Sequence, residues 1–266
     1  MNKSNTEPEY KELLHVAMRA ARAAGQIIRE GWGKPHAIQF KGAINLVTDI
    51  DRAAEKIILE QLRTATPEFD ILTEESGAME KGFTFRWVID PLDGTTNYAH
   101  HFPYFSVSIG LEKDGESVIG VVYDPILEQM FSAIRGGGAF LNETPVYPSH
   151  ASTLSESVVA TGLVYEVWES ERGISEIVKM IKRARSIRIN GSAALDICNV
   201  ACGRLDAYCD TGLFAWDLAA ARVILAEAGG KFSLYGAGAQ MDEKYCIASN
   251  GKIHAELEEL LIANSQ

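Results

Sequence analysis

The sequence predicts a mixed α/β fold in which helices pack against sheets. Long segments repeat apolar residues at helical spacing, and short apolar runs bounded by turn residues recur between them. The dipeptide Asp114-Gly115 also separates two such runs, which is a strong signal for a β-hairpin. Because helical and extended segments are interspersed along the whole chain, layers of helices against sheets are the architecture that buries both.

The helices are predicted from apolar residues three and four positions apart and from residues that start or stop a helix. The first helix is followed by Gly31, a stop signal. Thr48, followed three residues later by Asp51, resembles a capping box and starts the second helix. A short helix is expected after Gly94. The longer predicted helices are Tyr10–Glu30, Asp51–Ala65, Ser170–Ala184, Gly191–Cys202, Asp217–Ala228 and Ile253–Ala263.

The strands are predicted from short apolar runs rich in β-branched and aromatic residues. Glu74–Gly77 and Gly136–Gly138 are predicted as turns. The predicted extended segments are Gln39–Val47, Asp70–Thr73, Phe85–Asp90, Tyr104–Glu112, Ser117–Tyr123, Gln129–Ile134, Val158–Thr161, Ser186–Ile189, Leu205–Cys209, Phe232–Tyr235 and Tyr245–Ala248.

The chain shows no internal repeat and no long linker, so we expect one domain over residues 1–266. The turn-rich stretch Tyr147–Ser155 is the weakest joint. It predicts two subdomains, an N-terminal α+β part over about residues 1–148 and a C-terminal α/β part over about residues 149–266.

The charge balance argues against nucleic-acid and membrane partners. The chain carries 25 basic and 36 acidic residues, a net charge of −11, and an acidic surface repels phosphate backbones and anionic lipids. The basic run Lys179–Arg188 is short and is expected to be mainly a solvated helix face followed by a strand. We therefore expect no direct binding to nucleic acid.

Export and membrane insertion are not indicated either. Residues 1–10 lack the apolar core of a signal peptide, and no run of about 18 apolar residues occurs. The four cysteines form no C-x-x-C pair and are typical of small buried residues in a reducing compartment. The expected location is the cytoplasm.

One segment combines a buried strand with two carboxylates. The strand ends at Asp90, Pro91 is expected to force the chain out of the sheet, and Asp93 follows. Two hard oxygen donors this close together suit Mg²⁺. The backbone N–H groups of Gly94, Thr95 and Thr96 are expected to face an anion at the start of a short helix. On the aspartate pair alone, a plain turn with a capping carboxylate is the commoner structure.

The full string decides between these readings. Asp-Pro-Leu-Asp-Gly-Thr-Thr-Asn over Asp90–Asn97 resembles the signature of the inositol monophosphatase family, a group of lithium-sensitive, metal-dependent phosphatases. Trp-Asp-Leu-Ala-Ala over Trp216–Ala220, followed by Glu-Ala-Gly-Gly over Glu227–Gly230, resembles the second signature of that family. The resemblance extends from about Ala20 to about Asn250. It implies a layered α/β/α/β/α sandwich of the inositol monophosphatase and fructose-1,6-bisphosphatase type, and a homodimer.

The resemblance also implies the metal ligands, with two or three Mg²⁺ per site. The first ion would be held by Glu74, Asp90 and the main-chain carbonyl of Leu92. The second would be held by Asp90, Asp93 and Asp217. The catalytic residues are Thr95, Asp51 and Glu74: Thr95, hydrogen-bonded to Asp51, orients the attacking water, to which Glu74 also bridges. Glu75 is the weaker alternative to Glu74, Asp49 is expected at the surface, and Lys41 is placed on a loop near a third ion.

The family resemblance also implies which residues contact the substrate. Gly191–Asp196 resembles the loop beside the substrate ring, with Ala193 next to the ring. Asp210 stands where inositol-specific members carry a glutamate, so a contact to a ring hydroxyl would be lost or water-mediated, at a cost of about 1–3 kcal/mol. Arg188 is expected to form a salt bridge, or else to reach the phosphate ester or a partner subunit. The implied substrate contacts are Asp93, Gly94, Thr95, Thr96, Ala193, Asp210 and Asp217.

The predicted function is Mg²⁺-dependent hydrolysis of a small phosphate monoester by direct in-line attack of water. Thr96–Tyr98 and His101–Tyr104 resemble the inositol branch, which favours inositol 1-phosphate. A fructose 1,6-bisphosphatase or dual-activity sugar phosphatase is the main alternative, and a nucleotide or histidinol phosphatase a lesser one. A non-catalytic role as a partner of the transcription machinery is the alternative of a different class.

Overall fold

A computed structural model of the chain describes residues 7–34, 38–41, 45–79, 82, 84–162, 171–236 and 244–262. Within these residues the chain forms seven α-helices and fifteen β-strands. The helices are α1 (Glu7–Gly31), α2 (Asp49–Ala65), α3 (Thr95–Ala99), α4 (Glu171–Ile181), α5 (Ala193–Ala201), α6 (Ala215–Ala228) and α7 (His254–Leu261).

The strands form three sheets. A hairpin contains β1 (Ile38–Lys41) and β2 (Asn45–Thr48). The large sheet has the order β10-β9-β8-β7-β6-β5-β3-β4 and the small sheet the order β12-β11-β13-β15-β14. The large sheet consists of β3 (Asp70–Thr73), β4 (Gly77–Met79), β5 (Phe85–Asp93), β6 (Ser106–Lys113), β7 (Glu116–Asp124), β8 (Gln129–Ile134), β9 (Ala139–Leu141) and β10 (Thr144–Pro145). The small sheet consists of β11 (Val158–Thr161), β12 (Ser186–Arg188), β13 (Ala207–Thr211), β14 (Lys231–Tyr235) and β15 (Tyr245–Ser249).

The helices and the two larger sheets stack in five layers, which confirms the predicted fold class. Helices α1 and α2 pack together on one face of the large sheet. Helices α5 and α6 lie between its other face and the small sheet. Helices α4 and α7 cover the outer face of the small sheet. Among the described helices, none has the length and apolar character needed to cross a membrane.

Helix α6 lies unusually close to the large sheet because two sheet residues facing it are glycines. A Cβ atom added at Gly120 would lie 2.2 Å from the carbonyl oxygen of Ala220, and one added at Gly110 would lie 2.8 Å from the Cβ of Ala219. No side chain fits at either point without moving the helix. The main chains of α6 and the sheet therefore lie close together just behind the first turn of α6.

Two predicted turns are corrected by the structure. Strand β5 does not leave the sheet at Pro91 but continues to Asp93, because its pairing with β6 skips Pro91 and Leu92 and resumes between Asp93 and Ser106. Proline has no N–H to donate, so a bulge at this point costs the ladder little. Gly77, predicted in a turn, begins β4, which pairs with β3. The short strands β9 and β10, at one end of the large sheet, were not predicted.

Other local predictions are confirmed. Thr48 and Asp51 form the predicted capping box at the start of α2. Asp114-Gly115 forms the predicted hairpin turn, both residues with positive φ, between Lys113 and Glu116, which pair with each other. Helix α6 begins two residues before the predicted start at Asp217. Ser170 and Ala263, at the ends of two predicted helices, lie outside the described residues.

Candidate active site

Three carboxylates meet where β5 ends and α6 begins. Asp90, Asp93 and Asp217 each offer an oxygen, and these oxygens lie within 4.8 Å of one another. Asp90 and Asp93 are 2% and 8% exposed, while Asp217 is partly buried. Such a group of hard oxygen donors suits a divalent cation such as Mg²⁺.

A single serine connects the two elements that carry these carboxylates. Ser108 on β6 pairs with Asp90 across the ladder, and its hydroxyl donates a hydrogen bond of 3.2 Å to the carbonyl of Trp216. The next residue, Asp217, accepts a 2.6 Å hydrogen bond from the backbone N–H of Phe214 and so closes the first turn of α6. Sheet and helix are therefore held in register at the point where their carboxylates meet.

The three carboxylates repel one another in the absence of a cation. Burial is the main cause that raises the pKa of Asp90 well above its ordinary value, and neighbouring negative charges add to it. Burial, followed by the charge of Asp93, likewise raises the pKa of Asp217. The pKa of Asp93 is raised by burial to about 6, although its hydrogen bonds oppose this rise. Protons or a cation are needed to relieve this accumulated charge.

Glu74 lies beside this centre, although it is not one of the three residues whose oxygens come within 4.8 Å of one another. It follows β3, whose last residue, Thr73, pairs in parallel with Ile89. The backbone N–H of Glu74 donates to the Ile89 carbonyl at 3.2 Å, so Glu74 lies beside Asp90 at the carboxyl ends of two neighbouring strands. Its negative charge is one cause of the raised pKa of Asp90. Glu75, the weaker alternative, has its backbone N–H directed to Glu55 on α2.

Thr95 and Asp51 make the contact that the sequence resemblance implied. The Thr95 hydroxyl lies 2.8 Å from Oδ1 of Asp51 and 3.0 Å from the carbonyl oxygen of Leu92. The other carboxylate oxygen of Asp51 accepts from the backbone and hydroxyl of Thr48. Asp51 is fully buried, and burial raises its pKa. Its two oxygens are thus divided between the cap of α2 and Thr95.

Asp93 also holds the start of α5. Its Oδ2 accepts hydrogen bonds from the Ser192 hydroxyl and, at 2.9 Å, from the backbone N–H of Ala194. Ala193 is therefore fixed next to the acidic centre. Across the ladder from Asp93, the buried hydroxyl of Ser106 lies close to the Asp93 carboxylate and is one of the groups that oppose the rise of its pKa.

Gly94 allows the loop after β5 to approach the loop before α5. Its φ of 99° is in the left-handed region, and a Cβ there would lie 3.1 Å from the Gly191 carbonyl. Thr95 and Thr96 then open α3. The residues predicted to contact the phosphate and those predicted to contact the ring are thus brought together.

Asp210 is turned toward the protein interior. It is 7% exposed, and its carboxylate accepts from the Tyr208 hydroxyl at 2.7 Å and the Thr211 backbone N–H at 2.8 Å. A Cβ at Gly162 would lie 2.0 Å from Oδ2 of Asp210, so only glycine leaves room for this carboxylate. Burial raises its pKa to about 6.

A polar network that the sequence did not predict joins the two loops. The Asn97 amide donates to the carbonyls of Tyr104 and Asn190, both at 2.7 Å. Tyr104 and Asn190 also donate to Oδ1 of Asp196, at 2.6 and 2.7 Å. Burial raises the pKa of Asp196 to about 7. The sequence signal that was available is Asp196 itself, because an aspartate within an otherwise apolar helix indicates a buried polar network.

The remaining predicted positions lie outside the acidic centre. Asp49 is exposed, as expected. Arg188 is exposed and donates to the hydroxyl of Ser186 and the carbonyl of Ile187, so in this structure its guanidinium folds back along its own strand. Lys41 ends β1.

Known proteins resemble this chain along almost its full length. A family model described as "Inositol monophosphatase family" matches residues 9–266. An inositol-1-monophosphatase of Synechocystis sp. is 43% identical over 257 residues, which cover 95% of this chain and 90% of that protein. A protein of Pasteurella multocida named Nus factor SuhB is 42% identical over 222 residues, or 82% of this chain and 83% of that protein. The solved inositol monophosphatase from Anabaena has a TM-score of 0.87 at 37% identity and covers 96% of this chain and 97% of that chain.

Proposed function

Because the chain belongs to the inositol monophosphatase family of phosphoric monoester hydrolases, we propose that its acidic centre hydrolyses inositol 1-phosphate with the help of Mg²⁺. The observation that carries this proposal is the convergence of Asp90, Asp93 and Asp217 within 4.8 Å. Burial raises the pKa values of all three carboxylates, and neighbouring negative charges add to the rise at Asp90 and Asp217, so a bound cation would offset charge that is held away from water.

The donor set fits the metal that the family implies. All the side-chain donors are carboxylates, the ligands that Mg²⁺ prefers, and among the described residues none of the three aspartates forms an ion pair with a lysine or arginine. We assign one ion to Glu74, Asp90 and the Leu92 carbonyl, and a second to Asp90, Asp93 and Asp217. When bound, Mg²⁺ would supply charge stabilisation and acidify a bound water.

Thr95 and Asp51 handle the proton of the attacking water. Asp51 accepts the hydrogen bond of the Thr95 hydroxyl, so Thr95 Oγ1 would take a proton from the attacking water as its own proton passes to Asp51. Because Asp51 is buried and held by Thr48, this direction is fixed before substrate arrives. We place Glu74 on the same water.

The phosphate group is held where α3 begins. We propose that the backbone N–H groups of Gly94, Thr95 and Thr96 bind its oxygens, since these groups lie at the start of a helix that directly follows Asp93. Ala193 lies next to Asp93 and would contact the alcohol part of the substrate. Asp93 and Asp217 are assigned to substrate as well as to metal.

We assign Asp210 to the position that binds the ring hydroxyls of the substrate, but we expect it to bind them weakly. Its carboxylate already accepts hydrogen bonds from Tyr208 and Thr211. We therefore propose that it reads ring hydroxyls weakly and that the enzyme accepts phosphate monoesters other than inositol 1-phosphate. A sugar bisphosphate remains the principal alternative substrate.

The first experiment is Mg²⁺-dependent phosphate release from purified protein with inositol 1-phosphate and fructose 1,6-bisphosphate in parallel. We expect higher kcat/KM for inositol 1-phosphate and no release in EDTA. Faster turnover of fructose 1,6-bisphosphate would move the chain to the dual-activity branch with the metal centre unchanged. Release that persists in EDTA would contradict the metal-dependent mechanism.

Three expectations remain predictions. Dimerisation would be tested by light scattering, lithium inhibition by titration with LiCl, and a cytoplasmic location by fractionation of cells. A role as a partner of the transcription machinery is not favoured, because every acidic position implied for the metal site is present and the three aspartates converge.

A further inference from the structure

Helix α2 carries two buried carboxylates on one face, one turn apart. Asp51 contacts Thr95, as described above. Glu55 lies four residues later, is 5% exposed, and makes no contact with the acidic centre itself. A buried glutamate that serves neither a surface nor an ion pair needs another explanation.

Among the residues that the structure describes, all hydrogen bonds of Glu55 come from one short loop. Its Oε2 accepts from the Thr73 hydroxyl at 2.5 Å, from the Glu75 backbone N–H at 3.2 Å and from the Ser76 backbone N–H at 3.3 Å. Its Oε1 accepts from the Ser76 hydroxyl. Four donors on residues 73–76 therefore converge on a single side chain.

These contacts enclose Glu74 from both sides. Thr73 immediately precedes it, Glu75 and Ser76 immediately follow it, and its own N–H is bonded to the Ile89 carbonyl. With the backbone fixed at each neighbouring residue, the starting direction of the Glu74 side chain is fixed as well. That side chain lies close enough to Asp90 for its charge to affect the Asp90 carboxylate.

We propose that Glu55 is a positioning residue, which holds the loop 73–76 so that Glu74 is pre-oriented toward Asp90 and which thereby sets the affinity of the centre for Mg²⁺. The proposal rests on the metal site assigned under the proposed function. Groups that orient a metal ligand from behind contribute about 10–100-fold to metal affinity or activity. Because Glu55 and Asp51 are on the same helix, α2 supports both Glu74 and Thr95.

The test compares Glu55→Ala with Glu55→Gln. Alanine removes all four contacts. Glutamine keeps a carbonyl oxygen for Thr73 and the two backbone N–H groups, while its amide N–H₂ meets the Ser76 hydroxyl, which is able to accept. Mg²⁺ affinity is measured by calorimetry with Mg²⁺ alone, and the melting temperature is measured in EDTA.

Glu112→Ala is the matched control. Glu112 is also a buried glutamate and is paired with Arg86, four residues before Asp90 on β5 and so about 13 Å away along the strand. Its loss is expected to lower the melting temperature without changing the dissociation constant of Mg²⁺. A general loss of stability is thereby separated from a loss of Glu74 orientation.

We expect Glu55→Ala to raise the dissociation constant of Mg²⁺ by about 10–100-fold. Glu55→Gln should bind Mg²⁺ nearly as tightly as the unchanged protein, and kcat of Glu55→Ala should recover at saturating Mg²⁺. An unchanged dissociation constant in Glu55→Ala, or the same rise in Glu112→Ala, would overturn the role of Glu55 alone. If the alanine variant does not fold, Ser76→Ala replaces it. A smaller rise in the dissociation constant of Mg²⁺ is then expected, and an unchanged dissociation constant would overturn the proposal. No Mg²⁺ binding by the unchanged protein would overturn the metal site and the role of Glu55 together.

Discussion

Two regions of the candidate site are built on different principles. The metal end, proposed to bind the cations, contains Asp90, Asp93 and Asp217, and the ring end, proposed to lie by the substrate ring, contains Asp196 and Asp210. At the metal end, carboxylates come from the ends of regular elements and face one another: Asp90 has one backbone donor, the Leu92 N–H at 3.0 Å. At the ring end, polar side chains satisfy one another. Asp210 accepts from Tyr208 and Thr211, and the Asp196 network is closed in the same way.

The difference distinguishes carboxylates that are stabilised by binding a ligand from carboxylates whose hydrogen bonds stabilise the local structure. The carboxylates of the metal end are crowded together and buried, so they gain stability when a proton or cation binds, even though Asp93 also accepts hydrogen bonds from Ser192 and Ala194. Carboxylates already hydrogen-bonded gain little from a new partner, so the ring end is pre-formed but weakly discriminating. Substitutions at the metal end should therefore affect turnover strongly, and those at the ring end weakly.

The largest effect is expected for Asp93→Asn. The variant keeps an oxygen for Ser192 and Ala194, so the start of α5 stays in place, but it loses a charged ligand. Loss of several kcal/mol of charge stabilisation lowers kcat/KM by about 10³-fold or more. Initial rates with inositol 1-phosphate and a circular dichroism spectrum measure both effects. Exposed Asp49→Asn is the control, and near-normal activity of Asp93→Asn would contradict the two-ion assignment.

A smaller but still large effect is expected for Thr95→Ala. The variant removes the hydroxyl that Asp51 orients, and loss of general acid–base catalysis costs about 10²–10⁴-fold in kcat. The dissociation constant of Mg²⁺, measured by calorimetry, should change little, because the hydroxyl is not assigned as a ligand. Thr95→Ser keeps the hydroxyl and should retain most activity. Equal losses in the alanine and serine variants would show that the methyl group, not the proton path, matters.

At the ring end, Asp210→Asn should have a weak and substrate-dependent effect. We expect the ratio of kcat/KM for inositol 1-phosphate over glycerol 2-phosphate, which has no ring, to fall by no more than about fivefold, or about 1 kcal/mol. The measurement is the same initial-rate assay with both substrates. A fall of more than about 30-fold, equivalent to about 2 kcal/mol, would show that Asp210 binds a ring hydroxyl directly and would erase the contrast between the two ends.

The smallest effect on catalysis is expected for Asp196→Asn. This substitution should instead change how the free energy of unfolding depends on pH. The pKa of Asp196 is raised from 3.8 to about 7, mainly by burial, so the folded state holds this proton more tightly than the unfolded state. The resulting stability is present below pH 3.8 and is lost as pH rises through 7. Urea unfolding in EDTA should therefore show a smaller fall in unfolding free energy from pH 5 to pH 8 in the variant. If the unfolding free energy fell equally with pH in the variant and in the unchanged protein, the raised pKa of Asp196 would be contradicted.

The metal end was the more predictable of the two, because its residues are adjacent in sequence or begin a recognisable element. The string Asp90–Asn97 and the segment at Asp217 indicated the ligands and, through the family resemblance, the contact between Thr95 and Asp51 that the structure contains. The roles of these residues in catalysis stay predictions. A local rule failed at Pro91, where the partner strand β6 overrode the tendency of proline to end a strand.

The ring end and the support of Glu74 were not predictable in this way. The Asn97 amide bonds to a carbonyl 93 positions further along the chain, and Glu55 bonds to donors 18–21 positions away. Such contacts depend on how the layers meet, and no pattern of neighbouring residues encodes them. The position of Glu55 one helical turn after Asp51 was the only local sign that both would face the same side.

The close approach of α6 to Gly110 and Gly120 has a consequence for how this protein tolerates change. Across this seam, the gap between α6, which bears Asp217, and strands β6 and β7, which carry Gly110 and Gly120, is set largely by main-chain atoms, whose dimensions do not vary with sequence. On the opposite face, where α1 and α2 cover the sheet, the spacing depends on interlocking side chains that can be exchanged for others of similar volume. The side of the core under α1 and α2 should therefore tolerate substitutions, whereas the contact of α6 with Gly110 and Gly120 fixes the distance between that helix and the sheet. We expect a methyl group added at Gly120 to displace α6, and with it Asp217, relative to the sheet.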